Sequence, residues 1–154
     1  MPVNADFVGR EYPPTTPYAV GAAKIREFAE AVGSTDPVHV DGEAAVAAGY
    51  RGVIAPPTFA VLIAQQCDAQ LMLDPEAGID YSRVVHGEQR FTHHRPLTAG
   101  DDVVGVLHVD GVRSAGGHSM VTTRTELSVD GEAVCTATST LVIRGAEAAE
   151  TAGA

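Results

Sequence analysis

Residues 53–72, Val-Ile-Ala-Pro-Pro-Thr-Phe-Ala-Val-Leu-Ile-Ala-Gln-Gln-Cys-Asp-Ala-Gln-Leu-Met, constrain this chain more than any other stretch. Positions 59–64 are all apolar, so nearly two helical turns would offer no solvent-facing residue. A helix of that kind must be covered on every side. A six-residue strand fits the same run, but Gln65, Gln66 and Cys67 carry the segment past strand length. Pro56 and Pro57 mark a sharp start, and Thr58 is a capping residue type directly ahead of the run. The expectation is one buried helix that the other elements wrap around.

The flanking sequence says what does the wrapping. Residues 2–17, rich in Pro and Thr, read as an extended arm, with a short first strand at 18–20. Ile25, Phe28, Ala29 and Val32 fall at i, i+3, i+4 and i+7, which predicts an amphipathic helix over 23–32 that Gly33 ends. Residues 34–41 form a polar loop, and the alanine-rich 42–49 a second short helix. After a loop at 73–82 the period changes to two. Strands are predicted at 84–94, 103–112, 118–129 and 133–143, with Asp130-Gly131 as a hairpin turn between the last two. Helices followed by antiparallel strands make an α+β fold, helices on one face of the sheet. One sheet curved around one helix leaves a sheet edge open, which predicts a dimer. A single domain over residues 1–144 is expected, with 145–154 a disordered tail.

Composition removes whole classes of function. A net charge of −10 argues against nucleic acid and against an anionic membrane surface. No stretch reaches the roughly 20 apolar residues of a membrane helix, and the N-terminal sequence lacks the apolar core of a signal peptide. A cytoplasmic location is expected, with Cys67 and Cys135 as two buried thiols. No cluster has metal-ligand spacing and no glycine-rich phosphate loop is present, so neither a metal nor a cofactor is expected.

Several pieces, in order, carry a resemblance: Tyr18 with residues 24–29, then Asp36-Pro37-Val38-His39, then residues 53–59, then residues 80–89, then Arg95-Pro96 with Ala99-Gly100-Asp101. Together they resemble the MaoC-like hydratase/dehydratase family of hot-dog domains, nearest to the small actinobacterial (3R)-hydroxyacyl-ACP dehydratase subunits. The resemblance spans about residues 7–144. It implies a hot-dog fold, an acyl-ACP or acyl-CoA thioester substrate, and either a homodimer or a heterodimer with a second, MaoC-like subunit. Active members carry a loop Gly-Asp-x-Asn-Pro-x-His whose Asp and His are the catalytic pair. The matching residues here are Gly33-Ser34-Thr35-Asp36-Pro37-Val38-His39. His39 falls on the catalytic His, Ser34 on the catalytic Asp, and Asp36 on the Asn. Where active members have Ala-His-Gly ahead of the central helix, this chain has Ala55-Pro56-Pro57.

Dehydrating a 3-hydroxyacyl thioester needs a base for the C2 proton, an acid for the leaving hydroxyl, and donors for the thioester oxygen. His39 suits proton transfer, and Asp36 is the candidate to hold its imidazole. Ser34 cannot replace a carboxylate. The prolines have no N–H, so Thr58 or Phe59 would have to supply the donors. Ala55, Pro56, Pro57, Thr58, Phe59 and His86 are the candidate substrate-binding residues. His86 and Glu88, two apart on one strand, form a second candidate acid-base pair on a shared face. Arg90, Arg95, Arg113 and Arg124 are candidates for a phosphopantetheine arm or an acidic carrier protein. The function expected is a subunit that holds the acyl chain while its partner supplies the full Asp/His pair. The alternatives are a self-sufficient homodimeric hydratase and a non-catalytic acyl-thioester binding protein.

Overall fold

The computed structural model describes residues 2–145. The expected tail therefore lies outside the described residues, except for Gly145. A short strand β1 (Tyr18–Ala19) leads into α1 (Ala22–Val32), α2 (Gly42–Ala47) and the central helix α3 (Val61–Met72). Four long strands follow: β2 (Val84–His93), β3 (Asp102–Ala115), β4 (His118–Val129) and β5 (Glu132–Ile143). They form one curled antiparallel sheet in the order β1-β3-β4-β5-β2, with α3 lying on β3 and β4. The α+β hot-dog expectation holds.

Local chemistry explains most of the element ends. Gly33 closes α1 in the left-handed region at φ 72°, and Asp41 caps α2 by accepting from the Glu43 and Ala44 amides. Asp130 and Gly131, at φ 49° and 80°, make the hairpin turn that joins β4 to β5. In β4 every second residue is buried, from Ser119 to Val129, so this central strand serves the core with one face.

The central helix is shorter and barer than its sequence suggested. It begins at Val61, and residues 57–60 form tight turns in which the Phe59 and Val61 amides donate to the Pro56 and Thr58 carbonyls. Ala60 is the N-cap, and Thr58 caps nothing. Phe59, Ala60, Ile63, Ala64, Cys67 and Leu71 are buried, whereas Val61 and Leu62 are half-buried and Gln65 and Gln66 exposed. The chain thus covers the helix on its sheet side only. Phe59 anchors the lead-in, edge-on to Phe28 and Tyr18 at 5.4 and 6.4 Å between ring centroids. Further along, a Cβ at Gly105 would run into the Cys67 sulfur, so the bare glycine lets α3 sit close on β3.

The edge strand β2 departs from simple alternation. A bulge at Gly87 shifts its register against β5, so His86 pairs with Leu141 while Glu88 pairs with Thr140. Leu141 and Thr140 are neighbours on β5 and point to opposite faces. His86 therefore faces inward with the buried Leu141, and Glu88 faces outward, 3.2 Å from Arg90. The expected His86–Glu88 pair on a shared face does not exist, because the extra residue inverts the strand's parity between them.

Candidate functional site

The loop after α1 folds into one 3-10 turn, Pro37–His39. Asp36 caps it, its Oδ1 accepting from the Val38 amide at 3.1 Å. The turn delivers His39 inward, where its side chain is only 6% exposed. There His39 Nδ1 lies 2.6 Å from the Ile54 carbonyl. A carbonyl can only accept, so Nδ1 carries the proton, and in the neutral ring Nε2 keeps its lone pair free. The Ile54 segment is itself fixed: Ile54 N–H donates to the Val38 carbonyl at 3.0 Å, and Ala55 N–H to the Leu97 carbonyl at 2.8 Å.

His39 lines a cavity of about 620 Å³ with Ser34, Asp36, Ala55, Pro56 and Pro57. That size suits a small-molecule site. Tyr50, His93, Pro96 and Leu97 also line it. Neither His93 nor Tyr50 lies in the matched loop. Beyond the Gly87 bulge, His93 pairs with buried Cys135 and so faces inward. Its Nε2 lies 2.7 Å from the Pro57 carbonyl, which fixes one of the two prolines against β2.

Three expected site residues lie elsewhere. Phe59 is fully buried in the core, and its amide is spent on the Pro56 carbonyl at 2.9 Å. Thr58 is exposed and does not line the cavity, although its amide has no backbone partner among the described residues. His86 opens into a separate cavity beside the later turns of α3. Asp36 is present but engaged: its carboxylate holds its own turn and makes no side-chain bond to His39 among the described residues.

Next to the cavity, Arg95 grips Asp101 with two bonds, at 2.8 and 3.2 Å. Arg51 adds a third at 3.2 Å, and the Thr98 amide a fourth at 2.8 Å. Burial alone would push the Asp101 carboxyl up; Arg95, Thr98 and Arg51 outweigh it and hold it below the usual carboxylate range. Arg95 is thereby committed to the fold. Arg124 is likewise held by Asp110 and Glu126, and Arg90 by Glu88. Of the four arginines proposed to meet a phosphopantetheine arm, only Arg113 has no ion pair among the described residues.

With this geometry in place, comparison with known proteins becomes informative. Residues 6–137 match the family described as FAS1-like, dehydratase domain region. The chain belongs to this hot-dog dehydratase family. It is 56% identical over 146 residues to a UPF0336 protein of Saccharopolyspora erythraea, covering 94% of each chain. Among solved structures it resembles the C-terminally truncated HadBC (3R)-hydroxyacyl-ACP dehydratase complex of Mycobacterium tuberculosis. There the identity is 33% and the TM-score 0.80, over 89% of this chain and 97% of that one. A protein described as a MaoC-like dehydratase gives 33% identity and a TM-score of 0.84, over 92% of this chain. This dehydratase-family chain spans 43% of that longer protein.

Proposed function

We propose that this chain is the substrate-holding subunit of a (3R)-hydroxyacyl-thioester dehydratase, working beside a MaoC-like subunit that carries the complete Asp/His pair. The observation that carries the reading is the state of His39. Its Nδ1 is fixed on the Ile54 carbonyl with the ring lining the cavity, yet no carboxylate bonds to it among the described residues. Ser34 stands where the family places the acid residue, and Asp36 is turned onto its own loop. A base is available for the C2 proton, but the group that would protonate the leaving hydroxyl is absent from this chain's half of the site. The solved relative named HadBC is a complex, which supports a two-subunit reading. The open edge of β2 is the surface on which a second sheet would pair.

In this reading the cavity receives the acyl thioester, and its apolar wall of Ala55, Pro56 and Leu97 holds the chain. The partner's pair removes the C2 proton and returns one to the departing hydroxyl, giving the enoyl thioester and water. A self-sufficient homodimer is the second reading, favoured by His93, a further imidazole on the same cavity.

Crotonyl-thioester hydration by the chain alone and mixed with a MaoC-like subunit from the same genome separates the two. Turnover only in the mixture, kept within about threefold by His39→Ala, supports the subunit reading. Turnover by the chain alone that His39→Ala abolishes would establish the homodimer. Silence in both arms would leave a binding protein.

A further inference from the structure

A second cavity, about 530 Å³, lies between the later turns of α3 and the edge strand β2. From α3 it is lined by Gln65, Asp68, Ala69, Met72 and Leu73. Their spacing of i, i+3, i+4, i+7 and i+8 defines one helix face. Tyr81 and the inward-facing His86 stand opposite.

Asp68 is the unusual member. It is 5% exposed, and Thr123 donates its hydroxyl to Oδ1 at 2.8 Å. No ion pair reaches it among the described residues. Desolvation pushes its carboxyl up to about 6, against the Thr123 hydroxyl and the field of His86, which both favour the charged form. Around this buried acid the surface is apolar where it should be polar. Leu73 is 79% exposed and Tyr81 71%, next to a strand whose outer edge has no hydrogen-bonding neighbour in the sheet. An apolar rim beside a free strand edge marks a surface that another chain covers.

We propose that a second hot-dog subunit closes this cavity along β2 and sets a lysine or arginine against Asp68. The proposal rests on the two-subunit reading above and adds what the partner must bring. Charge decides between partner and copy. Two copies of this chain would together carry −20, twice the −10 of one. Two of the cations near the edge of a copy are already taken, Arg83 by Asp80 and Arg90 by Glu88, each at 3.2 Å, while Arg144 beside Arg83 has no ion pair among the described residues. Arg90 also bonds on the outward side of the sheet, away from the cavity. A different chain, with an uncommitted basic side chain at its edge, satisfies the buried acid without doubling the negative charge.

The test follows the Asp68 carboxyl by carbon NMR, in the full chain alone and in complex with the MaoC-like subunit. In the free chain it should titrate near the raised value. In the complex it should stay ionised to below pH ~4, because an adjacent cation favours the charged form. Affinity should then fall as pH drops from 7 to 5, by up to about tenfold per unit below the free-chain midpoint. The other titratable groups around Asp68 are His86 from β2, Tyr81 from the preceding turn, and Cys67 on its own helix. The Cys67 thiol is pushed up to about 11 by burial and by Asp68, outside this window. A histidine changes charge in the same range, so Asp68→Asn identifies the group. This variant keeps the acceptor for Thr123 and should weaken the complex at least tenfold at pH 7.5 while flattening the pH dependence. A complex in which Asp68 still titrates at or above its free-chain value, or in which Asp68→Asn binds within twofold of wild type, overturns the proposal and leaves the two-subunit reading standing. A homodimer that by itself lowers the Asp68 midpoint overturns the requirement for a different partner. Failure to form any complex brings down both.

Discussion

Two buried carboxylates flank the central helix, and they live in opposite circumstances. Asp101, beside the lead-in to α3, receives four hydrogen bonds from its own chain, three of them from guanidinium groups. Asp68, in the later turns, receives one, from a hydroxyl. Both are almost fully removed from water, at 3% and 5% exposure. Their pKa values nevertheless move in opposite directions, Asp101 below the usual carboxylate range and Asp68 above it. Burial is common to both; the difference is where the cation comes from. A buried acid with its cation on the same chain belongs to the fold. One without a cation leaves a request open to another molecule.

Removing Arg95 should erase that contrast, and it is the largest effect expected. Arg95→Met leaves Asp101 with only an exposed arginine and one amide, which should cost about 3 kcal/mol, as when a buried pair loses one partner. The pH dependence should weaken as well. In the wild type the lowered Asp101 pKa contributes stability above the unfolded-state carboxyl range, lost as pH falls through the folded value. In the variant that acid-side loss should shrink or vanish, which denaturant melts between pH 3 and 7 would reveal.

Asp68 runs the other way. Its folded-state value of about 6 lies above the ordinary carboxyl range, so the isolated chain should lose stability as pH rises from about 4 to 6. The shift corresponds to roughly 3 kcal/mol. Asp68→Asn should therefore stabilise the isolated chain at pH 7.5 by an amount of that order and be near neutral at pH 4. A destabilised Asn variant at pH 7.5 would mean that Asp68 already has a cation, and the comparison would collapse.

Smaller effects sharpen the picture at the His39 end. Asp36→Ala removes the cap of the 3-10 turn and should cost about 1 kcal/mol by thermal melt, with no separate change in the charge of His39. If Asp36 instead held the imidazole, the His39 titration followed by proton NMR would move as well. Smallest is Glu88→Ala, which breaks an exposed ion pair on the outward face and should change stability by less than about 0.5 kcal/mol. Any loss of catalysis in the mixture on that change would contradict the outward placement of Glu88.

Much of the architecture was legible in sequence because it rests on local rules. The amphipathic spacing of α1, the glycine that ends it and the Asp130-Gly131 turn each act within a few residues, and each stands as read. So does the succession of helices and long strands. What escaped the reading depends on contacts distant in sequence. The helix expected from the apolar run starts late because Pro56 and Thr58 carbonyls close tight turns first. Its coverage on every side assumed a complete surrounding, whereas Gln65 and Leu73 face outward in the single chain. The loop motif located His39, Ser34 and Asp36 at one cavity, but His93 and Tyr50 arrive there from elements with no motif of their own. Alternation along β2 misled once, at the bulge, because one inserted residue leaves no mark in a periodicity count.

That inserted residue also makes β2 a strand with two addresses. Upstream of Gly87 its inward side chain looks toward Asp68; downstream its inward side chain looks toward His39. Deleting Gly87 would leave His86 inward and Glu88 outward, because the two already pair with adjacent residues of β5 and would simply become consecutive. A relative without that one residue would thus keep the same charges facing the groove and lose only the local bend and added twist that a bulge gives an edge strand.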